Sequence, residues 1–258
     1  MIKIVTWNVN SVNTRLERVK AFLKREEPDY LCLQELKCAD EKFPLKEIAE
    51  TGYHAVFFGQ KAYNGVAILS REPVEILFKN FDDQHADESA RVLTVRTAHK
   101  FDLICAYVPN GQAVGSEKYK YKLHWLQRAK SFLSRNWTAG DALVLVGDFN
   151  IAPDDRDVYD PVAWKEHIHC SADERKALNE LTSFGLIDTQ RIHDQSPGVF
   201  SWWDYRELSF ARNKGLRIDL VYSTPGMAAK CRGVRIDRDE RRGEKPSDHA
   251  PVIASFDL

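Results

Sequence analysis

Five oxygen-bearing side chains of this sequence have the chemistry of a metal site. Glu35, Asp148 and Asp248 supply carboxylates, and Asn8 and Asn150 supply amide oxygens. Hard oxygen ligands suit Mg²⁺ or Mn²⁺, and without a Cys/His cluster a structural zinc is disfavoured. A Mg²⁺ ion held by a few carboxylates and several waters is typical of phosphate chemistry. The set therefore predicts metal-assisted hydrolysis of a phosphoester.

Such a reaction also needs a base for the attacking water and a donor for the phosphoryl or leaving oxygen. His249 titrates near neutral pH if a carboxylate orients it, and Asp219 is a candidate for that carboxylate. A second interpretation stays open, in which His249 is a surface histidine in a Ser-Asp-His turn.

The stretch "VLVGDFNIAPDD" (144–155) shows how the elements would position these groups. A short β-branched run ends at Asp148 and Asn150, whose side chains point to the same side of an extended chain. Taken alone, Asp, Asn, Gly and Pro indicate only a turn. However, similar polar residues end several other predicted strands, and α/β proteins commonly build their sites at the carboxyl ends of strands. The repetition favours one shared site.

The predicted elements are many short strands interleaved with a few helices. The strands are Ile2–Trp7, Tyr30–Gln34, Ala55–Phe58, Val66–Ser70, Val92–Thr97, Leu103–Tyr107, Ala142–Val146, Arg217–Ser223 and Val252–Phe256. Helices are predicted within 13–27, with a capping box of Thr14 and Glu17, within 171–185, and from about Ser116 into the 130s. Without a linker-like stretch, we expect one domain over residues 1–258.

Bulk composition is that of an ordinary globular protein. The net charge of −1 supplies no steering towards a polyanion, so any contact with nucleic acid depends on local patches. No apolar run is long enough to span a bilayer, and the start lacks the layout of a signal peptide. The five scattered cysteines favour a reducing compartment, and we expect a cytoplasmic protein.

Eight motifs resemble the exonuclease III family of apurinic/apyrimidinic endonucleases, within the endonuclease/exonuclease/phosphatase superfamily. They are "TWNVNS", "CLQELK", "GVAILSR", "AYVPNG", "LVGDFNIAP", "FSWWDYR", "LRIDLVY" and "SDHAPV", in the family's order and across nearly the whole chain. "GDFN" and "SDH" are shared by the superfamily, whereas "LQELK", "YVPNG", "SWWDYR" and "LRIDL" narrow the resemblance to DNA repair. It implies a four-layer α/β sandwich, with two mixed sheets face to face and helices outside.

The resemblance also implies roles for individual residues. Asn8 and Glu35 are similar to metal ligands, with Asp148, Asn150 and Asp248 lining the same cluster. Asp148 resembles the residue that orients or deprotonates water, and Asn150 resembles the amide that holds water and phosphate. Tyr107 resembles a phenol near the scissile phosphate, Asn110 a phosphate contact, and His249, backed by Asp219, the histidine that contacts the phosphoryl oxygen.

The implied activity is Mg²⁺-dependent incision of double-stranded DNA 5′ to abasic sites, with processing of blocked 3′ ends, by a monomer with no membrane association. Mn²⁺ is expected to substitute for Mg²⁺. The implied DNA contacts are Lys37, Arg91, Asn110, Trp202, Leu216 and His249, with Trp202 and Leu216 as walls of a pocket for a flipped-out abasic sugar. By default, both side chains would instead fill the core.

Two basic stretches have open interpretations. "KYKYKLHWLQRAK" (118–130) interleaves basic and aromatic residues, which is consistent with phosphate contacts or with a solvated helix face above core aromatics. "RIDRDERRGEK" (235–245) carries five basic and four acidic residues, so its net positive charge is small, and a DNA-contacting loop is one open interpretation.

Two rival functions come from other classes. A superfamily relative acting on small phosphates or lipids would keep "GDFN" and "SDH" but not the longer motifs. A binding protein that had lost its chemistry would show replaced carboxylates, whereas Glu35, Asp148, Asp219 and Asp248 are all present. A panel of phosphoester substrates separates these possibilities.

Overall fold

The computed structural model describes residues 1–83, 85 and 89–258, in which two six-stranded mixed sheets form the centre of the protein. The strands are β1 Ile2–Asn8, β2 Tyr30–Gln34, β3 His54–Phe58, β4 Val66–Ser70, β5 Glu75–Lys79, β6 Val92–Arg96, β7 Asp102–Tyr107, β8 Leu143–Asp148, β9 Ile187–Asp188, β10 Asp219–Ser223, β11 Cys231–Ile236 and β12 Val252–Phe256. The first sheet has the order β11-β12-β1-β2-β4-β3, and the second β5-β6-β7-β8-β10-β9. In each sheet one central pair is parallel, β1 with β2 and β7 with β8.

The helices cover the outer faces of the sheets. They are α1 Leu16–Glu26, α2 Leu45–Ala49, α3 Glu117–Asn136, α4 Ala172–Thr182, α5 Thr189–His193 and α6 Pro225–Ala228, with short 3-10 turns at Asp40–Lys42, Asp155–Asp157 and Arg238–Arg241. Apolar residues of α1 pack on the first sheet, and those of α3 and α4 pack on the second. The four-layer α/β sandwich is the fold of this protein.

Period-two alternation along buried strands explains the layering. In β1, Ile2 and Ile4 face the second sheet, whereas Val5 and Trp7 face α1 on the other side. Successive side chains of a strand point to opposite faces, so a strand apolar on both faces is stable only between two layers. These central strands are therefore covered on both sides, and their carboxyl ends lie at one edge of the sandwich.

The predicted helices are present, but one predicted cap is wrong. Ser116 caps α3 by accepting from Tyr119 N at 3.1 Å, and Ser171 forms a capping box with Glu174 at the start of α4. At α1 no side chain caps the helix. The Thr14 hydroxyl instead donates to Ser11 Oγ at 3.0 Å, because residues 12–15 form a turn that delays the helix to Leu16.

Several strand bounds also differ from the predictions. The predicted strand Ala142–Val146 continues through Asp148, and the one predicted from Arg217 begins at Asp219. Strands β5, β9 and β11 were not predicted: β5 and β11 are edge strands whose charged residues interrupt the apolar pattern, and β9 has only two residues.

The five cysteines are buried free thiols. In the described ranges, no helix is long and apolar enough to cross a membrane. The extent of a single domain over 1–258 stays a prediction.

Candidate active site

Polar side chains from both sheets meet at the edge of the sandwich where β1, β2, β7 and β8 end. Asn8 ends β1 and Glu35 follows β2 in the first sheet, whereas Tyr107 ends β7 and Asp148 ends β8 in the second. Tyr107 and Asp148 are register partners in the parallel pair, and Asp219 faces Asp148 across the antiparallel pair β8–β10. The sheet registers therefore place these groups side by side.

Asn8 joins the two sheets through its amide. Its Nδ2 donates to Glu35 Oε1 at 3.0 Å and to Asp148 Oδ2 at 2.9 Å, and the Tyr107 hydroxyl donates to Glu35 Oε1 at 2.8 Å. Asn8 and Asp148 are almost completely buried. A buried carboxylate is costly unless hydrogen bonds or opposite charges compensate it. The hydrogen bonds from Asn8 and Tyr107 supply part of that compensation.

Asn150 extends the same network to Asn110. Its backbone N–H donates to Asp148 Oδ1 at 2.9 Å, and its Nδ2 donates to Asp148 Oδ2 at 3.1 Å and to the carbonyl of Val108 at 3.0 Å. Asn110 Nδ2 donates to Asn150 Oδ1 at 3.2 Å. As predicted from their spacing, Asp148 and Asn150 lie side by side.

His249 lies between two aspartates. Its Nδ1 is 2.9 Å from Asp219 Oδ2, and its Nε2 is 3.8 Å from Asp148 Oδ2. Ser201 Oγ donates to Asp219 Oδ2 at 2.6 Å, which fixes that carboxylate. His249 is 4% exposed, so the interpretation of it as a surface histidine is wrong.

Burial and neighbouring charges shift the pKa values of Asp148 and His249. Burial raises the pKa of Asp148 to about 7; the charge of His249 opposes this shift and that of Asp219 adds to it. Burial alone would lower the pKa of His249, but the carboxylates of Asp219 and Asp148 outweigh it and raise the pKa to about 10. His249 is therefore an imidazolium at neutral pH and does not titrate near neutrality as the sequence predicted, because two carboxylates face it.

Lys37 and Asn10 connect the remaining carboxylates. Lys37 Nζ lies 2.8 Å from Glu35 Oε2 and donates to Asn10 Oδ1 at 2.5 Å. Asp248 accepts from Asn10 Nδ2 at 2.9 Å and from Trp202 Nε1 at 3.0 Å. Burial would raise the pKa of Glu35, but the charge and hydrogen bond of Lys37, the hydrogen bond from Asn8 and the charge of His249 together lower the pKa. Lys37 thus neutralises a predicted metal ligand.

Three residues at this edge of the sheets have left-handed backbone. Glu35 has φ 54°, Lys37 54° and Asn150 51°. Residues other than glycine adopt this region at a cost and keep it only where the surrounding structure holds them. Left-handed residues also occur in loops elsewhere, for example at Lys100 and Asn213, so this backbone shape describes the site loops without marking them as functional.

The donor set fits a hard divalent cation. Among the described residues, Asp148, Asp219 and His249 each offer a ligand atom within 4.8 Å of the others. Glu35 adds a carboxylate that the Asn8 amide nitrogen ties to Asp148, and Asn8 adds its Oδ1, which accepts from the Asn10 N–H. Several carboxylates in one buried cluster repel one another, and a cation would relieve that repulsion. Asp248 is tied to Asn10 and Trp202 rather than to the carboxylates of this cluster.

The predicted DNA contacts fall into two groups. Arg91 packs over the ring of Tyr107 at 4.9 Å and donates to its carbonyl, and Asn110 is exposed beside Asn150, so both lie at the site. Trp202 is half-buried, with its Nε1 bonded to Asp248. Leu216, in contrast, is 0% exposed and packs with Ile218 and Val158. In this structure Leu216 forms core rather than an accessible pocket wall.

The basic stretch 118–130 lies on α3, where Lys118 and Lys120 are exposed and Tyr119 and Trp125 are buried, as in a solvated helix face above core aromatics. Lys122 is an exception, since it is fully buried and cannot reach a phosphate. In the stretch 235–245, Glu240 and Arg241 are buried.

Sequence reasoning missed His169, which contacts three residues of the site. Its Nδ1 is 2.6 Å from the Asn150 carbonyl, its Nε2 is 3.5 Å from Asn110 Nδ2, and its ring centroid is 6.2 Å from that of Trp202. Burial, reinforced by the charge of Lys122, lowers the pKa of His169 to about 4. A histidine in an irregular segment carries no pattern that identifies it. Ser201 is inside a quoted motif, "FSWWDYR", but its partner Asp219 could not be assigned from the sequence.

Comparisons with known proteins agree with this geometry. The model of the Endonuclease/Exonuclease/phosphatase family matches residues 5–249. Exodeoxyribonuclease III of Haemophilus influenzae is 31% identical over 99% of this chain and 100% of its own.

Solved structures are similar over the full length. A 3′-5′ exonuclease, NExo, of Neisseria meningitidis superposes with a TM-score of 0.96 at 44% identity, covering 100% of both chains. The 3′ phosphatase NExo from Neisseria, bound to a product DNA hairpin, has a TM-score of 0.96 at 43% identity and 100% coverage of both chains. An AP endonuclease of Archaeoglobus fulgidus has a TM-score of 0.94 at 38% identity, covering 100% of both chains. The fold, the motifs and the matched family model show that the chain belongs to the exonuclease III/AP endonuclease family of DNA repair nucleases, within the endonuclease/exonuclease/phosphatase superfamily.

Proposed function

We propose that this protein is a Mg²⁺-dependent hydrolase of DNA phosphoester bonds that acts at blocked 3′ ends and 5′ to abasic sites. The observation that carries the proposal is the continuous network from Glu35 through Asn8 and Asp148 to His249 and Asp219. It combines oxygen ligands for a cation, a carboxyl group with a pKa of about 7 and a cationic donor. Phosphoester hydrolysis requires these three components together.

In the proposed reaction, Asp148 takes the proton of the attacking water. The Asp148 carboxylate is bonded to Asn150 and lies 3.8 Å from His249 Nε2, within the network where the attacking water and the phosphate would bind. Asn150, fixed by two hydrogen bonds to Asp148, holds that water and the phosphate. The local geometry thus supports a base and a positioning amide on the same loop.

His249 is proposed to stabilise the phosphoryl oxygen as it gains charge. Asp219 holds Nδ1, which leaves Nε2 on the side of Asp148 where the phosphate would lie. A preorganised cationic donor is worth more in a buried site than in water. Tyr107, whose pKa burial and the charges of Glu35 and Asp148 raise well above its usual value, stays a neutral phenol that donates a hydrogen bond.

Glu35 and Asn8, with Asp148, would hold the Mg²⁺ ion, and Asn150 and Asp248 are proposed to line the same cluster. When bound, such an ion supplies Lewis-acid stabilisation of the phosphoryl and leaving oxygens. Lys37 neutralises Glu35 in the present structure and lies beside the site, where DNA phosphate would approach. Mn²⁺ is expected to support the same role.

One observation favours 3′-end processing over abasic-site incision as the main activity. The apolar pocket for a flipped-out sugar was predicted from Trp202 and Leu216, yet Leu216 is 0% exposed and the ring of His169 lies close to that of Trp202. A terminal phosphate needs the phosphate-binding groups but no such pocket. The NExo protein, similar at 43% identity, is a 3′ phosphatase.

The test is a panel of matched duplexes carrying a 3′-phosphate, an abasic analogue or an intact end, each assayed with Mg²⁺ and with chelator. Inositol phosphates and sphingomyelin serve as controls for the rival phosphoesterase function. We expect cleavage of the DNA substrates only, with the 3′-phosphate removed fastest. Equal or faster hydrolysis of the small phosphates would exclude the proposal.

A cytoplasmic, reducing location of the protein stays a prediction, consistent with its five buried free thiols.

A further inference from the structure

Lys122 is a fully buried lysine on α3 whose ammonium group donates to two main-chain carbonyls of the candidate site and to one buried carboxylate. An ammonium group has three donors. In this structure Lys122 Nζ donates to the carbonyl of Asn150 at 2.7 Å, to the carbonyl of Asn110 at 3.1 Å and to Glu174 Oε1. The donors are fully used, two of them on the main chain of residues at the site.

The two carbonyls belong to loops that must be placed relative to each other. Asn110 follows β7 and Asn150 follows β8, and their side-chain amides are hydrogen-bonded at 3.2 Å. Asn150 in turn contacts both oxygens of Asp148. One ammonium group therefore fixes the main chain of both asparagines, and through Asn150 it fixes the surroundings of Asp148.

Glu174 fixes the ammonium itself. Its Oε1 also accepts from the backbone N–H of His169 at 3.1 Å, and its Oε2 accepts from Ser171 Oγ at 2.7 Å. Lys122 and Glu174 are both 0% exposed. A buried ion pair is weak evidence for stability, because apolar residues of similar volume often replace such pairs without loss. Here the cation of the pair donates to the main chain of two site loops, so the pair is better explained by the positioning of those loops than by stability.

The carbonyl of Asn150 is held from two sides. Asn150 has φ 51°, in the left-handed region that asparagine adopts more readily than most residues. Its carbonyl accepts from Lys122, and His169 Nδ1 lies 2.6 Å from the same oxygen. Without the ammonium, this carbonyl and that of Asn110 each lose a charge-assisted hydrogen bond.

We propose that Lys122, held by Glu174, is a positioning residue that sets the placement of Asn110 and Asn150 for the reaction. The proposal rests on the proposed function. Lys122 touches neither substrate nor cation; it acts through the main chain of the two asparagines. The expected signature is a loss of kcat with little change in KM, because a displacement of about 1 Å at reacting groups can lower rates by about 10²-fold.

The experiment compares three proteins with the wild type. The Lys122→Met/Glu174→Gln variant removes the ammonium without leaving an unpaired charge, and the amide it introduces at position 174 retains an acceptor for Ser171. The single Lys122→Met variant leaves Glu174 uncompensated. The matched control is Asp102→Asn, which removes another buried carboxylate, one that accepts from Trp137 Nε1 at the opposite end of β7. Thermal unfolding, kcat and KM on a 3′-phosphate duplex are measured for each.

We expect the double variant to be more stable than Lys122→Met alone, yet to keep a kcat roughly 10- to 100-fold below wild type. Asp102→Asn should lose stability and keep its kcat. Wild-type kcat in a folded double variant would overturn the proposal, as would a kcat loss in Asp102→Asn matching that of the double variant at equal stability. If the double variant fails to fold, Lys122→Leu/Glu174→Leu fills the same space with apolar side chains that cannot donate to the two carbonyls, and wild-type kcat there is equally contradictory. An inactive wild type would instead refute the proposed function, which separates the two failures.

Discussion

Asp148 and Asp219 face each other across the antiparallel strands β8 and β10, and the imidazole of His249 contacts both. Two carboxylates so close together repel each other, and the imidazolium compensates them. The arrangement raises the pKa of His249 to about 10 and, with burial as the larger effect, raises that of Asp148 to about 7. One strand register thus produces both a candidate base and a candidate cationic donor.

The first prediction concerns these two residues. Asp148→Asn and His249→Asn should each lower kcat by roughly 10²-fold or more, the scale of one lost proton-transfer or charge-stabilising group. DNA affinity, measured by fluorescence anisotropy in Ca²⁺ or chelator, should fall far less. Variants that bind poorly yet turn over normally at saturation would show that the roles are misassigned.

The second prediction concerns the cation. Chelator should abolish cleavage, and Mg²⁺ or Mn²⁺ should restore it. Glu35→Gln should raise the Mg²⁺ concentration needed for half-maximal rate by about tenfold or more, because one carboxylate ligand loses its charge. Titration of activity with Mg²⁺ measures this. Full activity in excess chelator would rule out the metal-assisted mechanism.

The third prediction tests whether Leu216 is core or pocket. Leu216→Ala should cost about 2–5 kcal/mol of unfolding free energy, because the side chain is fully buried. The ratio of abasic to intact cleavage should stay unchanged. Leu220→Ala, at another buried position nearby in the chain, is the matched control and should behave alike. A stable Leu216→Ala protein with altered selectivity would restore the pocket assignment.

The fourth prediction concerns stability at acid pH. The pKa of His169 is lowered by burial from 6.5 to about 4, so between these values the unfolded chain binds more protons than the folded one. Stability should therefore fall as pH drops through this window, by roughly 1.4 kcal/mol per pH unit from this group. Chemical denaturation of wild type and His169→Gln from pH 7 to 4 measures the slope. A slope identical in both proteins would show that His169 does not contribute.

The sequence was informative where chemistry restricts residue type. Asn8, Glu35, Asp148, Asp219 and His249 stand at strand ends or in short motifs, and the structure brings them into one network. Their individual roles stay predictions. Short apolar, β-branched runs located most of the buried strands, but not the edge strands β5 and β11, whose charged residues interrupt such runs.

Long-range packing decided what the sequence left open. The sequence is equally consistent with Leu216 as a pocket wall or as core until its neighbours Val158 and Ile218 are known. Lys122 resembles a surface lysine on a basic helix, and its burial depends on Glu174, 52 residues away in the chain. Both outcomes depend on how two distant segments meet, which no local pattern contains.

The most direct test is release of inorganic phosphate from a duplex with a 3′-phosphate, comparing wild type with Asp148→Asn in Mg²⁺ and in chelator. We expect rapid release by the wild type in Mg²⁺, none in chelator, and a rate about 10²-fold lower for Asp148→Asn with DNA affinity retained. Undiminished release by folded Asp148→Asn in Mg²⁺, or by the wild type in chelator, would contradict metal-assisted hydrolysis at this site.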